Sequence, residues 1–152
     1  DVILQCAIRA PSGRNTQPCH LRVLQNREKL EEMNKDFKDI VGWDTPAYTG
    51  WDIRPVYHNA PTFIFIFSES KADMAAGLMA ENIALASHAL GLGSCMIGSI
   101  GGLFDDKNGA KKWKKILDVP ESWHFLLGLT LGYPNEKPPF KDREDGHIKF
   151  ID

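Results

Sequence analysis

The run Thr62-Phe63-Ile64-Phe65-Ile66-Phe67 carries no charge and no polar alternation. A strand with one face in water reads apolar, polar, apolar, so this one is expected in the middle of a sheet with protein on both faces. Phe125 to Leu131, closed by Gly132-Tyr133-Pro134, is a second wholly apolar segment and sets the same demand. Strands of this kind need helices on both sides, and helical patterns are present. Val2, Ile3, Cys6, Ala7 and Ala10 recur at three- and four-residue spacing, on one face of a helix. Glu28 to Phe37 places Leu30, Met33 and Phe37 on one side, with Asn26 as its N-cap. The longest helical pattern runs from Asp73 to Leu90 and is ended by Gly91 and Gly93. Its many alanines and few late charges predict burial nearly all round, as by a second subunit. A short strand over Ser94 to Ile100 leads into glycine turns. A last helix has Ala110, Trp113, Ile116 and Leu117 on its apolar side and Lys111, Lys112, Lys114 and Lys115 as solvated charge, before Asp118-Val119-Pro120 ends it. Alternating helices and strands predict an α+β or α/β fold, a central sheet of mixed direction covered by helices.

Residues 1–152 are enough for one domain with a sizeable core. The chain opens on Asp1 with the helix already under way at Val2, so an upstream segment is expected. A net charge of −2 gives no electrostatic case for nucleic acid or an anionic membrane. No apolar run approaches the roughly 20 residues of a membrane span. Cys6, Cys19 and Cys95 form an odd set without C-x-x-C spacing, which argues against a disulfide framework or zinc site and for a reducing cytoplasm. The five histidines lack ligand spacing, so no metal is assigned. G-x-G-x-x-G, G-x-S-x-G and P-loop patterns are absent.

The most distinctive polar stretch is Ala10-Pro11-Ser12-Gly13-Arg14-Asn15-Thr16-Gln17-Pro18, between the first helix and a strand beginning near Cys19. Two prolines fix φ, Gly13 can take unusual φ, and Ser12, Asn15 and Gln17 supply donors and acceptors beyond the needs of a connector. Ile97-Gly98 ends a strand where a planar group could approach backbone N–H groups. Lys141 and Arg143, spaced K-x-R in a polar tail, can present two cations to a phosphate. Gly42 to Pro55 is a long loop with Trp43, Tyr48 and Trp51, either over a satellite cluster or as a lid.

The loop resembles the flavin-contacting A-P-S-x-x-N-x-Q-P motif of the FMN-dependent nitroreductase family. The likeness extends in order through His58-Asn59-Ala60-Pro61, Ala89-Leu90-Gly91-Leu92-Gly93, Leu127-Gly128-Leu129-Thr130-Leu131-Gly132-Tyr133-Pro134, and Lys141 with Arg143. Three features depart from the family pattern. Cys19 stands where Trp is usual, Ile97 stands where some members have Glu, and the N-terminal R-R-S-x-R motif is missing. The resemblance implies a nitroreductase-like fold and an intertwined homodimer with two FMN sites at its interface. Pro11, Ser12, Gly13 and Asn15 would come from one subunit, Ile97, Gly98, Lys141 and Arg143 from the other. It also implies ping-pong electron transfer from NAD(P)H through FMN to a nitroaromatic, quinone or similar small acceptor, with no side chain named as catalytic. Two rival expectations stand beside it. One keeps fold and flavin but changes the reaction to flavin cleavage or reductive dehalogenation; the other is a non-catalytic flavin-binding or cofactor-free dimer.

Overall fold

The computed structural model describes residues 1–44, 55–105, 110–144 and 146–151. Among them, strands β1 (Cys19–Leu24), β2 (Thr62–Ser68), β3 (Gly93–Met96) and β4 (His124–Gly132) form one sheet in the order β1-β2-β4-β3. Every neighbouring pair is antiparallel, which corrects the expected mixed direction. The reason is topological. β2 and β3 run the same way, but β4 inserts between them and opposes both.

β2 is covered on both faces, as its composition requires. Phe63, Phe65 and Phe67 point into one cluster; Ile64 and Ile66 point into another. Helix α2 (Arg27–Val41) supplies Leu30, Met33 and Phe37 to the phenylalanine side. It is joined there by Ile100 and Leu103 of a 3-10 segment, Ser99–Phe104, and by Trp113 of helix α4 (Lys111–Ile116). On the isoleucine side lie Ala7 of α1 (Val2–Ala7) and Ala76, Met79, Ala80 and Ile83 of α3 (Asp73–Ala89). The Asn82 side-chain amide ties the two helices together by donating to the Cys6 carbonyl at 3.0 Å.

Local signals hold where the backbone decides them. Asn26 caps α2 by accepting the Lys29 N–H at 2.9 Å. The strand expected from Ser94 to Ile100 instead stops at Met96, and a 3-10 turn follows from Ser99. On α4, Lys111 and Lys115 are exposed as expected of solvated charge, whereas Lys112 and Lys114 make specific contacts. Lys112 Nζ reaches Glu32 at 2.8 Å and Asp36 at 2.6 Å, while the Trp113 indole donates to Asp36 at 2.8 Å. Hydrogen bonds from Lys112 and Lys29 hold the Glu32 carboxyl down to about 2. Lys114 is only 8% exposed and donates to the Glu121 carbonyl at 2.6 Å. Its stem is buried while the ammonium still finds an acceptor.

Among the described residues, apolar surface stays uncovered on α3 and in the chain after β4, besides scattered residues such as Val2, Ile8, Val23 and Met96. On α3, Met74, Leu78 and Leu85 are exposed, so the expected all-round burial is not completed within one chain. Beyond β4 the described chain forms no helix or strand, and Tyr133 and Phe140 are 87% and 88% exposed. Trp43 is half-exposed and donates to Asp39 at 2.9 Å; Tyr48 and Trp51 lie outside the described residues.

Among the described glycines, Gly128, which pairs with Phe65 across the sheet, leaves the least room for a side chain. A Cβ added there would sit 2.6 and 2.8 Å from the Phe63 ring and 3.2 Å from Ile100. Gly128→Ala should therefore lower stability by about 1–3 kcal/mol, the usual cost of overpacking. Gly13→Ala, whose Cβ would meet nothing within 4 Å, should not. Urea unfolding midpoints check the pair, and an unchanged midpoint for Gly128→Ala would contradict this packing.

Candidate functional site

The polar loop joins the end of α1 to β1. Residues Gly13–Asn15 form a single 3-10 turn whose interior is not regular. Arg14, Asn15 and Gln17 all have positive φ, at 53°, 55° and 48°. Hydrogen bonds fix this shape. The Asn15 N–H donates to the Ser12 carbonyl at 3.0 Å, and the Thr16 N–H and hydroxyl both donate to the Gly13 carbonyl, at 3.1 and 3.0 Å. The Gln17 N–H donates to Ser12 Oγ at 2.9 Å. The loop is thus exposed and polar, yet internally bonded.

Two cavities border it. The larger, about 370 Å³, is lined by Ser12, Gly13 and Thr16 of the loop and by Ser70, Lys71 and Leu78 at the start of α3. The smaller, about 150 Å³, lies between the loop, Ile8, Cys19, His20 and Met79. Pro11, Ser12, Pro18 and Ala75 border both. Burial pushes the Cys19 thiol above its ordinary value, which favours a protonated thiol in this wall at neutral pH.

The sequence marks Asp73 only as a helix start and carries no motif at Ser70 or Lys71. Their signal was positional: they follow the buried central strand directly and open the longest helix, where the chain must emerge beside β1. Lys71 and Asp73 give the larger cavity one charge of each sign, and Ser12, Thr16 and Ser70 add hydroxyls to its lining.

The sequence-predicted residues fall into two groups. Pro11, Ser12 and Gly13 line the larger cavity, and Asn15 sits in the same loop, where its Oδ1 accepts from Gln17 Nε2 at 3.3 Å. The other four line neither cavity in the single chain. Ile97 is buried, and its N–H donates to the Gly128 carbonyl at 2.7 Å, so that N–H is already used. The Gly98 N–H has no partner among the described residues, and an added Cβ there would meet nothing within 4 Å. Lys141 and Arg143 are both exposed, with Arg143 Nη1 donating to the Lys141 carbonyl at 3.3 Å. Cys95, on the edge strand β3, has its Sγ 4.0 Å from His58 Nε2. Among the described residues no group of three or more His, Cys, Asp or Glu side chains is placed to hold a metal ion. No helix there is long and apolar enough to cross a membrane.

The chain matches the family model described as the nitroreductase family over residues 1–133; Lys141 and Arg143 lie beyond that match. A solved nitroreductase with bound FMN from Bacteroides fragilis is 28% identical and superposes with a TM-score of 0.85, covering 99% of this chain and 84% of that one. A second, also with bound FMN, from Desulfitobacterium hafniense, is 26% identical with a TM-score of 0.84, covering 100% and 87%. A protein of Archaeoglobus fulgidus with the provisional name NADH dehydrogenase/NAD(P)H nitroreductase is 29% identical over 151 residues, 94% of this chain and 76% of its own.

Proposed function

The chain belongs to the nitroreductase family, and from that premise we propose that it is an FMN-dependent oxidoreductase passing electrons from NAD(P)H to a nitroaromatic, quinone or similar acceptor. The observation that carries this reading is the internally bonded loop bordered by two cavities, the larger lined by Lys71, Asp73 and three hydroxyl residues. That polar lining suits a flavin mononucleotide. A planar ring needs open backbone and polar edges, and Gly13 and Gly98 leave space where a side chain would intrude.

In this reading Pro11, Ser12, Gly13 and Asn15 hold the flavin ring, and the Asn15 amide both donates and accepts at its edge. From the other subunit, Gly98 offers its N–H while Ile97, fixed by burial and by its bond to Gly128, sets where that N–H lies. Lys71 supplies positive charge that favours electron density gathering on a bound ring. Lys141 and Arg143 grip the phosphate, Arg143 in bidentate fashion. FMN, when bound, supplies the two-electron redox chemistry. The protein's own work is to orient the ring, place charges around it and leave one face open to donor and acceptor in turn.

A second copy of the chain completes the site. The exposed apolar residues of α3 and the arm after β4, with Tyr133 and Phe140 in water, support a homodimer in which arms reach across. Light scattering should give twice the chain mass at micromolar concentration, and a monomer would remove the dimer.

The phosphate grip is tested by FMN titration. Arg143→Ala should weaken binding by about tenfold to a hundredfold, the worth of a charge-assisted hydrogen bond. Lys115→Ala, on the exposed side of α4, should leave it unchanged. Equal affinities for the two variants would take Arg143 out of the site.

A further inference from the structure

Three residues of the loop have left-handed backbone, and none is glycine. Asn15 tolerates this conformation through its short polar side chain. Gln17 is the harder case. A residue before proline is held to extended backbone with negative φ, and Gln17 precedes Pro18 yet has φ of 48°. Such a conformation persists only where the surroundings impose it.

The imposing contacts converge on Ser12. Its hydroxyl oxygen accepts the Gln17 N–H at 2.9 Å, and its carbonyl accepts the Asn15 N–H at 3.0 Å. Gln17 Nε2 then donates to Asn15 Oδ1 at 3.3 Å, closing a ring of contacts around the two left-handed residues. Ser12 also borders both cavities, so a change in the loop's shape at Ser12 reaches the space beside it.

We infer that Ser12 is a positioning residue, a latch whose hydroxyl holds Gln17 and Asn15 left-handed and so presets the loop for its ligand. This rests on the FMN reading above and deepens it: the hydroxyl acts on cofactor affinity through the shape of the loop. Without the latch, Gln17 relaxes to negative φ and carries the Asn15 amide with it, and binding must then restore the loop's shape. Glycine at position 17 removes the steric penalty of positive φ and makes the latch dispensable.

The test is a cycle of four proteins, wild type, Ser12→Ala, Gln17→Gly and the double variant, titrated with FMN, together with amide hydrogen exchange at residue 17 in the flavin-free proteins. Ser12→Ala should weaken FMN binding about tenfold, as expected for one lost hydrogen bond that organises a site. The double variant should bind within about threefold of Gln17→Gly alone, the gap being the coupling expected of groups in contact. Equal weakening by Ser12→Ala in both backgrounds would overturn the latch, because the hydroxyl would then act on the ligand itself. Hydrogen exchange separates this inference from the reading on which it rests. If wild type binds no FMN, the functional reading fails, and the latch stands on faster exchange at Gln17 in Ser12→Ala. Unchanged exchange there overturns it.

Discussion

The structure depends on closing both faces of β2. Phe63, Phe65 and Phe67 leave no room for water on one side, and Ile64 and Ile66 leave none on the other. A sheet with such a strand cannot be open on either face, so α2 and the 3-10 segment must cover one side while α1 and α3 cover the other. Gly128 shows how close that packing is: the neighbouring strand gives up a side chain so that the Phe63 ring can lie against its backbone.

The same strand places the candidate site. β1 begins at Cys19, immediately after the loop, and its Cys19 pairs with Ser68 at the end of β2. The chain leaving β2 passes through Ser70 and Lys71 into α3, so the sheet ladder brings the loop and the start of α3 side by side. The larger cavity is what lies between them. Site geometry is thus inherited from the core, and the loop adds its own rigidity through hydrogen bonds.

Much of this was legible in the sequence because it follows from periodicity and local chemistry. The unbroken apolar run gave a doubly covered strand, Asn26 gave a cap, and the order of short motifs led to the nitroreductase family. What was illegible depends on contacts between distant residues. Nothing local says that Ile97 spends its N–H on Gly128, or that Lys112 reaches Glu32 and Asp36 on another helix. Lys71 carries no motif and gains meaning only when pairing of β1 with β2 sets it beside the loop. Left-handed backbone at Arg14, Asn15 and Gln17 was hidden as well, since glycine is the usual signal and only Gly13 stands nearby.

In the function proposed above, this arrangement carries electrons from NAD(P)H through FMN to a small acceptor. The most direct measurement is oxidation of NADH and NADPH by the FMN-saturated protein, followed at limiting enzyme with a quinone such as menadione and with a nitroaromatic, against free FMN at the same concentration. Steady turnover of at least one of the two nicotinamides, dependent on the acceptor and proportional to protein, is expected. Saturation with FMN followed by no oxidation of either nicotinamide above the free-flavin rate, with either acceptor, would contradict it.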